Sequence, residues 1–430
     1  MSHVAMTPRA SNSDVRAVVS ARNVLAGKRR GWKAVLPFLG PSLIAAIAYV
    51  DPGNFATNIQ SGSQFGYKLL WVVLLANVMA MVLQNLSSKL GIATGRNLPE
   101  LCREHFPTWL TYCLWVVSEV AAMATDLAEF LGASLALNLL CHIPLLAATL
   151  VTAVATMAVL AMDRLGFRPI EMFIGALLGV IALCYLLETV FSRPDWAAVA
   201  AHTVTPWIGG SDSLMLVVGI IGATVMPHAV YLHSGLTQRR IVPTSQDEAV
   251  RIYRFQRLDV ISAMSVAGLV NMAMMYMAAA AFYAKGHTGV VDIAQAYHML
   301  DPLLGPAAAA VFLVSLLASG ISSSAVGTMA GQVIMQGFVG FHIPIWVRRV
   351  VTMLPAVVVA AMGLNPMQTL VMSQVVLSLA LPAPVISLIL FTSNKRLMGA
   401  LVNRRWVTCL ASVIATCIIV LNVMYLWMSL

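Results

Sequence analysis

An all-helical integral membrane protein with eleven spanning helices is the fold class this sequence predicts, and three observations predict it. Of 430 residues, 60% are hydrophobic and only 10% charged, whereas soluble domains run near half apolar and a quarter charged. The apolar residues gather into eleven runs: 35–62, 69–92, 109–141, 144–163, 169–191, 213–236, 259–285, 304–336, 346–362, 368–391 and 405–429. A helix crosses a bilayer with ~20 apolar residues, and none of these runs alternates like the ~10-residue strands of a transmembrane barrel.

Residues 1–30 are polar, rich in Ser, Ala and Arg, and lack the apolar core of a signal peptide. They read as a disordered cytoplasmic tail, and 31–430 as a single polytopic domain. Threading the chain with its N-terminus in the cytoplasm tests this reading. Cytoplasmic segments then hold Arg9, Arg16, Arg22, Lys28, Arg29, Arg30 and Lys33, later Lys89, Arg96, Arg103, Arg164 and Arg168. Arg239, Arg240, Arg251, Arg254 and Arg257 follow, then Arg348, Arg349, Lys395, Arg396, Arg404 and Arg405. Only Lys68, Arg193 and Lys285 of the 26 basic residues fall outside. Such asymmetry fixes orientation, and an odd number of spans leaves the C-terminus outside. The net charge of +9 is therefore a topology signal and not a nucleic-acid surface. Six cysteines without a CxxC pair, mostly inside apolar runs, exclude a disulfide framework and a cysteine zinc site.

The first run reads PFLGPSLIAAIAYVDPGNFATNIQSG. An Asp at the centre of a spanning helix costs roughly 2.5–3.5 kcal/mol on the insertion scale. Pro52 lacks the amide that would bond the carbonyl four residues earlier, that of Ala48. Asp51, Pro52, Gly53 and Asn54 are thus expected to unwind, which lipid tolerates only where the backbone is buried in protein or lines a wet cavity. The sixth run reads SLMLVVGIIGATVMPHAVYLHSGL, and there Pro227 frees the carbonyl of Ala223 beside Met226 and His228. Two broken helices head two five-helix blocks, about 35–191 and 213–391, with an extra helix at 405–429. That is the organisation of an inverted-repeat transporter with its site at the midplane. Freed carbonyls at the ends of the first half-helices carry the negative end of the dipole and favour a cation.

The ligand set this implies is the Asp51 carboxylate, the Asn54 amide oxygen, the Ala48 and Ala223 carbonyls and the Met226 thioether. Oxygen ligands alone suit magnesium or calcium; a thioether shifts the preference to transition metals. A single Met among 25 is usually a packing residue, and a proline kink is often structural. An Asp in one break matched by a proline break in the other is harder to assign to packing.

The third run adds SEVAAMATDLAEFLG, whose Glu119, Asp126 and Glu129 are spaced by seven and three and share one helical face. Three carboxylates in an apolar segment must pair, protonate or face water, which makes a proton route the functional reading and a structural ion-pair network its alternative. Candidate counter-charges are His228, His233, Arg348 and Arg349. Gln84, Asp259, Asn271 and Gln374 are expected to make interhelical hydrogen bonds, and the Gly327–Gly331 spacing to serve close helix packing. No HExxH motif appears, against a zinc-dependent membrane enzyme.

DPGN at 51–54, MPH at 226–228, YLH at 231–233 and GIATGRNLPEL at 91–101 resemble the Nramp family of divalent metal transporters. AGQVIMQGF at 330–338 and SQVVLSLALP at 373–382 agree, and the resemblance runs from about residue 35 onward. It implies a leucine-transporter-type fold and proton-coupled import of manganese and ferrous iron, with cadmium, cobalt and related ions accepted. It implies no resident cofactor: Mn2+ or Fe2+ is the transported substrate and H+ the coupling ion. The family's metal site falls on Asp51, Asn54, Ala223 and Met226, joined in some conformations by Ala48 and Gln374. Its proton route falls on Asp51, His228, Asp126 and Glu129, continuing to Arg348 and Arg349, with Glu119 on the same face. Where the family usually has Asn after MPH, this chain has Ala229, a departure that spares the ligands and bears on hydrogen bonding in the second half of helix six. The partners implied are divalent ions, protons and the lipid bilayer, with neither nucleic acid nor an obligatory protein, in a bacterial inner membrane. The alternative is a symporter of an organic cation or amino acid on the same fold.

Overall fold

The computed structural model describes residues 12–28, 34–161, 167–288, 290, 293–341 and 344–429. Arg9, Arg29, Arg30, Lys33 and Arg164, counted in the charge distribution above, lie outside the described residues. All regular structure among the described residues is helical. Eight helical stretches there are long and apolar enough to cross a membrane, and Leu145–Val159 is a shorter apolar one. The second half of the first expected span is continuous with the second span in that reckoning, as Pro52–Thr94. The ninth expected span, 346–362, forms the helix Ile345–Met362, which carries Arg348, Arg349 and an internal Pro355.

The first helix, α1 (Asn12–Leu25), corrects the expectation of a disordered tail for the part described. Ala21 and Leu25 are buried. Arg22 donates to Glu248 at 2.5 Å and to the Val242 carbonyl at 2.6 Å. Partners more than 200 residues away hold this segment, so its own polar composition could not reveal the docking.

The two interrupted spans form as the prolines dictate. Helix α2 (Pro41–Ala48) stops before Asp51, and α3 (Pro52–Phe65) restarts with Asp51 as its N-cap. Then come α4 (Leu70–Thr94), the short α5 (Leu98–His105) and α6 (Thr108–Cys141). Helix α5 is closed by a capping box between Asn97 and Glu100, which satisfies two otherwise orphan amides. After α7 (Leu145–Ala161), α8 (Phe167–Ser192) and α9 (Trp196–Val204), the second broken span consists of α10 (Ser211–Thr224) and α11 (Pro227–Gln238). Helix α12 (Gln246–Ala281) starts 13 residues before its expected boundary; its polar first turns are helical but not apolar, so hydropathy passes over them. At 36 residues it is about 54 Å long, well beyond the ~30 Å hydrocarbon layer. The remainder are α13 (Ile293–Leu304), α14 (Pro306–Val339), α15 (Ile345–Met362), α16 (Pro366–Ala380), α17 (Pro382–Thr392), α18 (Lys395–Met398) and α19 (Arg405–Ser429).

The broken spans sit at the centre. The most apolar window of Ser211–Gln238 is 94% buried, against 28% for that of Arg405–Met428. Helix α14 lies along α6 and α8, α12 along α3 and α4, and α10 along α16. Exposed Leu150 and Val154 of α7, Leu186 and Val190 of α8, and Val413 and Val423 of α19 form the kind of surface that faces lipid.

The N-terminal end of α2 is fastened by a residue from elsewhere in the chain. Its N-cap, Gly40, has no side chain, and Asp259 of α12 supplies the missing acceptor, taking the Ser42 amide at 3.0 Å and the Gly40 amide at 3.3 Å. Gln256 bonds both the Ser42 hydroxyl (2.9 Å) and Asp259 (3.0 Å). Asp259→Ala would orphan two buried amides, at about 1–3 kcal/mol. Thermal unfolding in detergent should show the loss, and Asp259→Asn, which keeps one acceptor, should show less than half of it.

Candidate metal centre

The chemistry of the first break follows from its cap. Asp51 is fully buried, and its Oδ1 accepts the Asn54 amide (3.0 Å) and the Asn54 side-chain Nδ2 (2.7 Å) while Oδ2 accepts the Gly53 amide (3.0 Å). An anionic cap suits this position, because the first amides of a helix have no partner of their own. The same Asn54 Nδ2 donates to the Ala223 carbonyl at 2.9 Å, and Thr224 donates to Asn54 Oδ1 at 3.1 Å. One amide group thus spans both breaks, its hydrogens directed at a carboxylate and at the carbonyl that Pro227 leaves without a helical donor. Met226 is the N-cap of α11 and fully buried. Ala48, also fully buried, is the last residue of α2, four before Pro52.

Gln374 of α16 reaches the same place. Its Nε2 donates to Ser373 at 2.9 Å, within its own helix, while the buried Oε1 has no hydrogen-bond partner. A Cβ on Gly53 would collide with this side-chain amide and with Asp51 Oδ2, so glycine is what permits the approach. The break is held from two more sides: Ser319 donates to the Val50 carbonyl (2.6 Å) and Asn271 to the Tyr49 carbonyl (2.7 Å).

The three acids of α6 lie along one line but in different states. Glu119 pairs with Arg348 at 3.0 Å and accepts the Trp115 indole at 3.2 Å. Asp126 pairs with Arg349 at 3.1 Å; that guanidinium also bonds Thr328 (2.9 Å) and Ser324 and stands over the Phe130 ring. Glu129 is fully buried, and among the described residues neither of its oxygens makes a hydrogen bond of good geometry; the Ser323 hydroxyl is a close polar neighbour, and Asp126, Arg349 and Asp51 lie within coulombic reach. Gly327 faces Glu129 and Asp126, and Gly331 faces Arg348; these glycines make room for charged groups, where bare helix packing was expected.

The histidines divide. His228 lies 3.0 Å by Nδ1 from the Thr125 hydroxyl, which bonds the Ala121 carbonyl. A hydroxyl has one hydrogen, so with that hydrogen on Ala121 the imidazole donates from Nδ1 and keeps an acceptor lone pair on Nε2; Nε2 is buried and without a partner. His233 is not part of the acid line. Its ring meets Gln84 Oε1 (2.7 Å) and the Ser42 hydroxyl (3.4 Å), and Gln84 bonds the Tyr49 hydroxyl. Neither histidine is a counter-charge to an acid; the arginines take that role for Glu119 and Asp126. Of the polar residues expected to bond between helices, Gln84, Asn271 and Asp259 do so and Gln374 does not. Tyr49, Thr125, Thr224, Ser319 and Ser324 carried no signal in the sequence beyond being polar in apolar runs. Ala229 is fully buried in α11, an apolar neighbour to His228.

Among the described residues no three His, Cys, Asp or Glu side chains converge as a metal cluster, so a cation at the breaks would be met by one carboxylate, neutral oxygens and a sulfur. A family model described as "Natural resistance-associated macrophage protein-like", Nramp, matches residues 42–428. The chain belongs to the Nramp family. The divalent metal cation transporter MntH of Acidiphilium cryptum is 53% identical over 427 residues, covering 99% of this chain and 97% of that protein. That of Granulibacter bethesdensis is 56% identical over 403 residues, covering 94% and 90%. A crystal structure of the Eremococcus coleocola manganese transporter, in complex with an aromatic bis-isothiourea substituted compound, is similar with a TM-score of 0.84 at 33% identity, covering 99% and 90% of the two chains. The nucleobase-cation-symport-1 transporter Mhp1, at 14% identity and a TM-score of 0.60 over 90% and 89%, shares the fold alone. This Nramp protein is a multi-pass membrane transporter of divalent metal cations with the leucine-transporter-type fold, and not an enzyme. That replaces the organic-substrate alternative.

Gly53→Ala should push the Gln374 amide and the Asp51 carboxylate apart and lower metal uptake into proteoliposomes at least tenfold. Adding Gln374→Ala should restore part of the loss, which uptake by the double variant would measure.

Proposed function

We propose that this protein imports Mn2+ and Fe2+ into the cytoplasm with proton symport by alternating access, related ions such as Cd2+, Co2+ and Zn2+ also passing. The observation that carries the reading is the Asn54 amide bridging Asp51 and the Ala223 carbonyl. Two acceptors from opposite helix breaks share one donor there, and a cation can take the donor's place. On entry the ion displaces the amide hydrogens, Asn54 turns its oxygen inward, and Met226, Ala48 and Gln374 complete the shell as the breaks move. Gln374 Oε1, buried and unpartnered, is suited to that role. The thioether favours Mn2+ and Fe2+ over Ca2+ and Mg2+.

The proton side rests on the contrast among the acids. Near the breaks, Glu129 and His228 Nε2 are buried groups with unused proton-binding capacity, and among the described residues Glu188 on α8 is another, while Asp126 and Glu119 are already held by Arg349 and Arg348. A divalent ion beside Asp51 disfavours a proton there, so the proton passes to the His228–Glu129 region and leaves past Asp126 and Arg349. His233, tied to Gln84 and Ser42, belongs in this reading to the closure of α2 rather than to the route. The distribution of basic residues supports an N-terminus in the cytoplasm and a C-terminus outside; in a bacterial inner membrane the inward-negative potential would add ~2.3 kcal/mol per charge per 100 mV.

Uptake by purified protein in liposomes, with competing ions and an internal pH dye, tests both halves. Met226→Ala should keep part of the Mn2+ flux but narrow its preference over Ca2+ at least tenfold, about 1.4 kcal/mol; unchanged selectivity would remove the thioether from the site. Asp126→Asn and Glu129→Gln should each cut metal-driven acidification at least tenfold more than metal flux. Normal acidification in both variants would exclude these acids from the proton route.

A further inference from the structure

Away from the transport site, the first turns of α12, the second half of α4 and the start of α19 enclose a cleft of about 430 Å3. Four cations line it, Lys89, Arg254, Arg257 and Arg404, and no Asp or Glu does. Arg254, Arg257 and Arg404 are exposed, and none of the ion pairs among the described residues involves them. Lys89 differs: only 5% exposed, it donates to Asn403 and stands 5.9 Å from the centre of the Tyr253 ring, so it is fixed in place with its charge uncompensated.

The rest of the wall is apolar. Val82 and Leu86 of α4 and Val407 and Leu410 of α19 continue the cleft along the helices. Trp406 stands at its mouth, 63% exposed. Tryptophan concentrates at the headgroup level of a bilayer, where its ring is half in apolar surroundings and its N–H in water. A charged mouth, an interfacial indole and an aliphatic groove in sequence match a phosphodiester, its glycerol backbone and an acyl chain. Basic pockets between spanning helices on the cytoplasmic side have this chemistry, and the four cations fall in the segments that the charge distribution assigns to that side. Nucleic acid does not fit a cleft whose inner wall is aliphatic.

We infer that this cleft is a binding site for an anionic glycerophospholipid, its phosphate held by Arg254, Arg257, Arg404 and Lys89 and one acyl chain laid between α4 and α19. A lipid seated there bridges three helices, of which α19 is otherwise lightly held, with a window only 28% buried. The site therefore couples the attachment of the last helix to the composition of the inner leaflet, independently of how the metal is bound.

The test is native mass spectrometry of the full-length, delipidated protein in uncharged detergent, titrated with phosphatidylglycerol and with phosphatidylcholine of the same acyl chains. Phosphatidylglycerol should bind at least tenfold more tightly. The triple variant Arg254→Gln/Arg257→Gln/Arg404→Gln should lose that preference, whereas the charge-matched Arg96→Gln/Arg103→Gln/Arg239→Gln should keep it. All three replaced residues of the first variant are exposed, and Arg254→Gln alone, expected to lower the preference at least threefold, covers the case in which the triple variant does not fold. Equal binding of the two lipids, an undiminished preference in the triple and single variants, or displacement of phosphatidylglycerol by equimolar glycerol 3-phosphate or inorganic phosphate would each overturn the lipid site, the last by showing a soluble-phosphate site instead.

Discussion

A backbone carbonyl inside a membrane protein must find a donor, and at the two central helix breaks proline removes it. That constraint organises the structure. At Pro52 and Pro227, whose missing N–H favours a kink or a break, α2 gives way to α3 and α10 to α11, and the loosened backbone survives in lipid only at the centre of the bundle. Burial of the sixth span, the most complete of the eight long apolar helices among the described residues, follows from this need, as do the donors that other helices send into the breaks: Ser319 to Val50, Asn271 to Tyr49, Asn54 to Ala223. The side chains that close the breaks are therefore both structural and the nearest groups to any ion held there.

The acids of α6 show how one helical face can carry different electrostatic states. Glu119 and Asp126 each have an arginine of α15 in contact. A buried ion pair of this kind adds little net stability, but removing one partner is costly, so the pairs fix where α15 sits against α6. Glu129, one turn further along and within coulombic reach of Asp51, makes no arginine ion pair among the described residues; Arg349 acts on it only from a distance. The positions of Gly327 and Gly331 on α14 keep the whole line uncrowded. An unpartnered carboxyl is tolerable in such a place if it holds a proton for part of a cycle, which sets Glu129 apart from its two neighbours.

Both helix breaks were legible in the sequence, because a proline beside an Asp or a Met-Pro-His triplet within an apolar run has a local physical meaning. The acid face was legible from spacing alone. Pairing was not: whether Asp126 meets Arg349 or a histidine depends on how helices more than 200 residues apart in sequence rotate against each other. The chain from His233 through Gln84 to Tyr49 was hidden for the same reason, since a tyrosine in an apolar run looks like any other apolar residue. Hydropathy also truncated α12 and missed α1, where helices lie outside the apolar segments and are held by long-range polar contacts such as Arg22 with Glu248 and Arg251 with the Leu25 carbonyl.

The proposed metal site has one carboxylate for two positive charges, and that imbalance suits a carrier. A cage of several acids would hold a divalent ion too firmly to release it, and conduction through a membrane requires binding strong enough to admit the ion yet weak enough to let it go. The missing charge is replaced by dipoles: the carbonyl ends of α2 and α10, and the amides of Asn54 and Gln374. Unlike a second carboxylate, these can be withdrawn without leaving an uncompensated charge in the membrane. Because the carbonyl ends belong to half-helices, tilting α2 or α10 changes their number at the ion. In the proposed site, the breaks that cost the fold its continuity would let a movement of α2, whose N-terminal end is clasped by Asp259, alter the affinity for the ion.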